Sequence, residues 1–490
     1  MGNPVILQSS LGFEIKNKVT NFICSVNENV LVEHLTSSKI KETDFSFDEY
    51  FKKLEESNWQ DIREQFPVMD ESFMFHKKNI ENLFYDITNS FYADKIFLQE
   101  KSIIQDQYLE DINIGEGDQH NGKSTAILLL SENQKLIFKP TDAGISESYF
   151  MLLDWVGQHL DMGNSIYQIH NKKNYHWQEF VSEQHCNTSK DLQTYYKRAG
   201  YLLGILYLIN ATDYHAENLI AHGDTPVLID HETVILPKIS THFKEYYRQF
   251  NEGKKDTVLN TFLLPNNGAK GDFPVGACGL GSSKETHGYR DKKLGVNRFT
   301  KYWRMVTKLV EEDYIKCNVP TLNGKKVFVE EYLEDFISGF EGCYQLLLKN
   351  KDFLLSKDSP IQHFNNVPIR YIWRSTSAYR IIINFMKEPR NLIDKTQYEL
   401  KIRKYLSVAY KDFPQNSPLL KILEHEIAQV LRGDIPYFEV NSSSRDLKTE
   451  FGTIKDFFEL SAVENIERKL KKLSLEDQEF QKAIILESLT

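Results

Sequence analysis

An α+β fold, with a two-lobed mixed core between helical regions at either end, follows from three observations on this 490-residue sequence. Aromatic and aliphatic residues recur at helical spacing through the first 95 or so residues. Short apolar runs separated by turn residues then replace that period. Further on, a helix apolar on most faces leads through a polar loop to a β-branched strand.

The elements follow in order. In residues 1 to 97, FSFDEYFKKLEES and NIENLFYDITNSFYADK carry the stripe of amphipathic helices, and core packing accounts for their Phe and Tyr residues. From 98 to 181 the expectation is a smaller mixed lobe. STAILLL (Ser124 to Leu130), the turn SENQ and KLIFKP (Lys135 to Pro140) form a hairpin, and SYFMLLDWVGQHL (Ser148 to Leu160) forms an amphipathic helix. YHWQEFV (Tyr175 to Val181) is the strand that leads out of this lobe. From 182 to 345 comes a second lobe with a buried helix in RAGYLLGILYLINA (Arg198 to Ala211) and a long Gly- and Asn-rich loop from Asn266 to Gly288. From about 296 onward the pattern is mostly helical again, so 346 to 490 forms a helical C-terminal region.

The chemistry concentrates in TDYHAENLIAHGDTPVLIDHETV, Thr212 to Val234. Asp213, His215 and Asn218 form D-x-H-x-x-N, and Asp230 follows twelve residues after the Asn at the end of an apolar run. Phosphoryl transfer uses one Asp to orient or deprotonate the attacking hydroxyl, an Asn a turn later on the metal, and a second Asp on the next strand for the metal that bridges the nucleotide phosphates. The spacing is that of a kinase active site, and the His at the third position is closer to the lipid-kinase version. Asp, His and Asn are also ordinary turn residues, and an isolated D-x-H-x-x-N is usually only a loop. Here the buried helix before it and the strand after it set the motif in a cleft. A Gly-rich segment, a hairpin ending in Lys139 and a following helix give the order of a kinase N-lobe, with backbone groups from Glu179 to Val181 where adenine would bind. The core is therefore expected to be bilobal and lipid-kinase-like, with 182 to 345 as the C-lobe and Asn266 to Gly288 as its activation-type loop.

A rival lies in GDQHNGKS, Gly117 to Ser124, a literal G-x-x-x-x-G-K-[ST], with VLIDHE (Val227 to Glu232) in the place of a second nucleotide-binding strand. A P-loop works because its turn follows a strand and opens a helix whose N-terminus binds phosphate. After Lys123 the sequence reads as two strands and a turn, and the P-loop leaves D-x-H-x-x-N and Lys139 without a role.

Composition narrows the classes. With 41% hydrophobic and 12% aromatic residues the chain can bury a core. A net charge of −10 argues against nucleic acid, which requires a basic face. No apolar run reaches membrane-span length and the N-terminus lacks a signal-peptide pattern, so a cytoplasmic location is expected. Five scattered cysteines (Cys24, Cys186, Cys278, Cys317, Cys343) show neither C-x-x-C nor Cys/His ligand spacing, which disfavours structural zinc and a disulfide framework.

Taken in order, GDQHNGK, Phe138-Lys139-Pro140, TDYHAEN, IDHET and VPIRYIWRST resemble the dehydratase domain of class II lanthipeptide synthetases, the LanM type, over roughly residues 100 to 400. That family's domain is similar to a lipid kinase with added helices. It uses ATP and Mg2+ to phosphorylate Ser and Thr of a leader-bearing precursor peptide, then eliminates the phosphate to leave dehydroalanine or dehydrobutyrine. The resemblance implies phosphorylation roles for Lys139, Asp213, His215, Asn218, Asp230 and Glu232. Lys139 would neutralise phosphate, Asn218 and Asp230 would hold magnesium, and Asp213 would orient the hydroxyl. For elimination the pattern falls on Asp118, His120, Arg370 and Thr376, the last two six apart in VPIRYIWRSTSAYR. Without the family, Arg370 reads as a surface cation and Arg374 as one half of a structural ion pair.

Two departures accompany the resemblance. No Cys/Cys-His set of a zinc cyclase follows, and the N-terminal region is shorter than usual for such a domain. The expectation is a freestanding dehydratase, or a fragment, with cyclisation supplied by a separate protein or absent. The alternatives are a kinase of peptide, protein or lipid that stops at the phosphoester, and a nucleotide-binding pseudoenzyme scaffold.

Overall fold

The computed structural model describes residues 11–37, 46–120, 122–240, 243, 256–266 and 274–490. Helices and strands are mixed along the chain, as the α+β expectation requires. Two compact units form. One comprises Met1–Pro140, Asp291–Val310 and Arg374–Pro436; the other comprises Thr141–Arg290, Glu311–Trp373 and Tyr437–Thr490.

The first unit begins with helices α1 (Leu11–Val26), α2 (Glu28–Ser37), α3 (Phe47–Glu56), α4 (Gln60–Gln65) and α5 (Pro67–Glu100). Pro67 starts α5 where a missing N–H does no harm. Met69, Phe73, His76, Ile80, Leu83, Ile87, Phe91, Asp94 and Leu98 then recur at three- and four-residue steps, all buried. Strands β1 (Leu109–His120), β2 (Lys123–Leu130) and β3 (Lys135–Lys139) follow as an antiparallel meander, with Ile112 opposite Leu128 and Ala126 opposite Phe138. In β2 every second residue, Ser124, Ala126, Leu128 and Leu130, is buried, the period-2 pattern of a half-buried strand. The tight β2–β3 connection puts Glu132 and Asn133 at φ +63° and +61°, and the hairpin read from STAILLL-SENQ-KLIFKP is thus observed.

In the second unit α6 (Gly144–Gly157) precedes the β4 (Ile169–Asn171) and β5 (His176–Glu179) hairpin, where His170 faces Trp177. Helix α7 (Ser189–Leu208) opens on a reciprocal capping box between Thr188 and Asp191 and is buried on nearly every face from Ala199 to Leu208. Its Arg198 guanidinium donates to both carboxylate oxygens of Asp161 at 2.8 Å and to the Asp224 carbonyl at 3.1 Å. That ties the helix to the turn between β6 (Leu219–His222) and β7 (Thr225–Leu228), a hairpin in register from Leu219/Leu228 to His222/Thr225. Strand β8 (Lys238–Ile239) comes next. A ribbon of β9 (His287–Val296) and β10 (Arg304–Asp313) follows, of which Asp291–Val310 belongs to the first unit, and the small β11 (Thr321–Leu322) and β12 (Lys325–Lys326) hairpin of the second unit then leads to α8 (Leu333–Lys349).

Helices α7 and α8 touch backbone to backbone. A Cβ on Gly200 would lie 2.1 Å from the Phe336 carbonyl oxygen, and one on Gly339 would lie 2.0 Å from the Lys197 carbonyl oxygen. Glycine at these positions sets the interhelical distance.

The region after 296 is less helical than the sequence indicates. After α9 (Lys351–Leu354) it contains β13 (Pro368–Tyr371), then α10 (Thr376–Met386), α11 (Lys395–Ser407) and α12 (Leu420–Leu431). Strands β14 (Phe438–Asn441), β15 (Leu447–Thr449), β16 (Gly452–Ile454) and β17 (Phe458–Leu460) follow, before α13 (Ala462–Lys472) and α14 (Leu475–Leu489). Strands of three or four residues are too short to establish a period in sequence. Their pairings, β13 with β14 and β17 with β8, are long-range. Of the Gly- and Asn-rich loop, residues 267–273 lie outside the described residues, and Val275–Ala277 forms a 3-10 turn.

Candidate active site

The second unit brings Asp213, His215, Asn218, Asp230, Glu232 and Arg370 together. Helix α7 ends at Leu208, and the loop that follows turns sharply. Asp213 has φ +70°, a left-handed backbone that a non-glycine residue holds only when its surroundings enforce it. The enforcement is visible. The Asn218 side-chain amide donates to the Asp213 carbonyl at 2.7 Å, and the His215 N–H donates to the same carbonyl at 2.9 Å. The Thr212 N–H donates to the Thr233 carbonyl at 3.2 Å, and the Thr233 hydroxyl returns a bond to the Thr212 carbonyl at 2.9 Å. The loop is thus bonded to the segment that carries Asp230.

His215 accepts at Nδ1 from the Glu217 N–H at 3.3 Å, which leaves the proton of the neutral ring on Nε2. That nitrogen lies 4.0 Å from an Asp213 carboxylate oxygen. The Asp213 side chain is 39% exposed, open enough to meet a substrate hydroxyl.

Asp230 lies two residues beyond β7. The Ile229 N–H donates to the Asn218 carbonyl at 3.1 Å, so the strand end carrying Asp230 is bonded to the loop carrying Asn218. With its amide nitrogen held by Asp213, the Asn218 amide has a fixed orientation and its oxygen is the acceptor left to serve as a ligand. Magnesium takes hard oxygen ligands, one or two from protein and the remainder from phosphates and water. The Asn218 and Asp230 oxygens fit that requirement. Among the described residues no group of three or more His, Cys, Asp or Glu side chains is gathered to hold a metal by itself.

Beneath Asp230 lies a layer not legible in the sequence. His231 is buried, with Nε2 3.1 Å from the Tyr167 hydroxyl and Nδ1 3.1 Å from the Tyr214 hydroxyl. Whichever nitrogen carries the proton, one tyrosine donates to the ring and the other accepts from it. Burial first, and the nearby Asp230 charge among the further causes, push both tyrosines well above their usual range, so both hydroxyls stay protonated. The Tyr149 ring packs on His231 at 4.7 Å. Tyr149, Tyr167 and Tyr214 are far apart in sequence, and the adjacency of His231 to Asp230 was the one available clue.

Glu232 and Arg370 connect the two halves of the motif set. The Arg370 N–H donates to the Glu232 carbonyl at 3.0 Å, and its guanidinium donates to the Glu232 carboxylate at 3.3 Å. The guanidinium also lies over the Tyr437 ring at 5.5 Å. At 12% side-chain exposure Arg370 is not a surface cation, a correction to the reading from its sequence neighbourhood alone. Burial, followed by the Glu232 charge, raises the Tyr437 hydroxyl, which stays protonated.

The remaining candidates are placed as follows. Glu179 ends β5 in the second unit; its N–H donates to the Gln168 carbonyl and its carboxylate accepts the Gln168 N–H at 3.0 Å. That N–H is committed to the hairpin. Lys139 ends β3 in the first unit and is half-buried. Asp118 and His120 lie on β1 in the first unit, with side chains outside the described residues. Lys123 is exposed and sits opposite His120 across a turn whose Gly122 has φ +69°. β2 follows it, not a helix, so the strand-to-helix geometry of a P-loop is absent. Thr376 is the first residue of α10 in the first unit. Arg374 is the ion-paired residue expected, bonded to Glu426 at 2.5 Å and 3.0 Å.

Among the described residues no helix is long and apolar enough to cross a membrane. A family model described as "Domain of unknown function (DUF4135)" matches residues 66–441. The Lacticin 481/lactococcin biosynthesis protein LcnDR2 of Lactococcus lactis subsp. lactis is 26% identical over 447 residues, covering 87% of this chain and 46% of the relative. The chain therefore spans about half the length of that curated relative. With a match over most of its length, the chain belongs to the DUF4135 family and is related to the class II lanthipeptide synthetases.

Proposed function

We propose that this protein dehydrates Ser and Thr residues of a ribosomally made, leader-bearing precursor peptide, first phosphorylating the side chain with ATP and then eliminating the phosphate. The observation that carries this reading is the bonded loop-and-strand arrangement that holds Asp213, Asn218 and Asp230 in one place with Arg370 clamped to the adjacent Glu232. The kinship with a lacticin 481 biosynthesis protein gives the peptide class. The lipid-kinase-like, two-lobed architecture is part of the same proposal, as is a separate cyclase acting afterwards.

In the first step Asp213 orients the substrate hydroxyl and accepts its proton as the oxygen attacks the γ-phosphorus, breaking the bond to the β-phosphate oxygen and releasing ADP. His215, fixed by Glu217 and facing Asp213, holds that carboxylate in line. Asn218 and Asp230 would hold magnesium, which would supply charge neutralisation on the nucleotide phosphates. Lys139 adds a point charge to those phosphates and Glu232 supports the site from the next turn.

In the second step a base removes the Cα proton, the electron pair forms the Cα–Cβ double bond, and the Cβ–O bond breaks with its electrons leaving on phosphate. Arg370 is the bidentate donor suited to the departing phosphate, and Thr376 contributes a hydroxyl donor. Asp118 and His120 are assigned to this half-reaction.

Incubation with ATP, Mg2+ and a Ser/Thr-rich precursor peptide, followed by mass spectrometry, tests the proposal. The unmodified protein yields peptide that has lost water. Arg370→Ala and Thr376→Ala accumulate phosphopeptide, with elimination slowed on the order of a hundredfold, the usual effect of removing one aligned donor. Stable phosphate gain with the unmodified protein would leave a kinase without elimination.

A further inference from the structure

Thr376 is bracketed by two residues hooked to the same buried carboxylate. Two positions before it, Arg374 donates Nε to Glu426 Oε1 at 2.5 Å and Nη2 to Oε2 at 3.0 Å. Three positions after it, on the first turn of α10, the Tyr379 hydroxyl donates to Glu426 Oε1 at 2.6 Å. The Tyr410 hydroxyl adds a bond to Oε2 at 2.5 Å, and the Arg374 guanidinium lies over the Tyr410 ring at 5.3 Å. Arg374 Nη2 also reaches the Leu406 carbonyl at the end of α11. Glu426 itself is fully buried on α12. It therefore joins the start of α10 to α11 and α12.

Stability alone is a weak reason for this arrangement, because a buried ion pair does little better than well-packed apolar side chains of the same volume. What the four donors do supply is a unique placement. With the chain held at Arg374, two residues before α10, and at Tyr379 on its first turn, Thr376 between them is fixed in place.

We propose that Glu426 is a positioning residue for the elimination half-reaction, holding Thr376 through Arg374 and Tyr379 so that its hydroxyl meets the departing phosphate. This rests on the dehydratase reading above. Arg374, which the sequence presents as an ordinary ion pair, thereby joins Thr376 in one functional assembly.

The test separates the two half-reactions. The probe is a Ser/Thr-rich peptide that the unmodified protein is first shown to phosphorylate, used both unmodified and as its synthetic phosphoserine form. With Glu426→Gln, phosphorylation of the unmodified peptide changes by no more than about twofold, while elimination from the phosphopeptide falls by roughly tenfold or more. Combining Glu426→Gln with Thr376→Ala gives no greater loss than Thr376→Ala alone, because a residue acting through Thr376 has nothing left to position. If Glu426→Gln is insoluble, Tyr379→Phe and Tyr410→Phe each remove one bond and are read in the same way. A parallel fall in both half-reactions, or additive losses in the double variant, overturns the proposal in favour of a purely structural role. Failure of the unmodified protein to eliminate from the phosphopeptide would instead sink the dehydratase reading and this proposal with it.

Discussion

Replacing Gly200 by alanine tests whether the close approach of α7 and α8 sets the platform for the Asp213 loop. In an ordinary helix interior, Gly→Ala stabilises by about 1 kcal/mol through backbone entropy. Here the new methyl carbon would lie 2.1 Å from the Phe336 carbonyl oxygen and 2.6 Å from the Phe340 nitrogen. Both are backbone atoms of α8 and cannot swing aside, so the helices must separate by roughly an ångström to restore ordinary contact. That separation loosens the layer formed by Leu203, Leu206, Phe336 and Phe340, all fully buried. Overpacking of this kind costs about 1–3 kcal/mol and sometimes more, and against backbone it exceeds the propensity gain. The expected outcome is a net loss of about 2 kcal/mol, read as a lower urea midpoint at unchanged slope. Gly342→Ala, on the same α8, is the control. Its methyl would meet only the Tyr201 ring at an ordinary 3.6 Å, so this variant is expected to be neutral or more stable by up to about 1 kcal/mol. A Gly200→Ala protein as stable as the unmodified one, or more so, would refute the claim that glycine holds the two backbones together.

Three further outcomes follow from the site and the first unit. Asp230→Ala and Lys139→Ala are expected to abolish ATP-dependent phosphorylation, a loss of several kcal/mol of transition-state stabilisation, whereas Lys123→Ala retains most activity; a dead Lys123→Ala beside an active Lys139→Ala would restore the P-loop reading. Stripping divalent ions should stop phosphorylation until magnesium is returned, while a zinc-selective chelator has no effect, as measured by phosphate incorporation into peptide. Burial, and then the Lys387 charge, pull the His76 imidazole down to about 4, so between there and its usual 6.5 the unfolded chain binds the extra proton. Stability is therefore fully present above about pH 6.5 and declines as pH falls towards 4, by about 3 kcal/mol in all at 1.36 kcal/mol per pH unit. His76→Gln should flatten that decline in denaturant titrations at pH 7 and pH 5, and an unchanged pH slope would show that His76 is not held neutral.

The sequence determined much of this protein by itself, because several of its signals are local. The stripe in α5, the alternation in β2 and the uniform burial of α7 each reflect a period that a dozen residues suffice to display. D-x-H-x-x-N and the following Asp were legible for the same reason, since loop and strand are neighbours in the chain and their hydrogen bonds span few residues. Even the literal P-loop pattern could be set aside, since β-branched and aliphatic alternation after Lys123 indicated a strand. Only tertiary structure could decide what depends on distant partners. The strands after 366 are too short to show a period, and β13, β14 and β17 exist through pairing with segments about 70 to 220 residues away. Arg370 looked like a surface cation because nothing near it in sequence is acidic, whereas Glu232, 138 residues earlier, clamps it. The Tyr–His231–Tyr layer and the Glu426 hub share that origin. Each joins polar groups that are unremarkable in sequence, and burial makes their mutual hydrogen bonds obligatory only once the chain has folded.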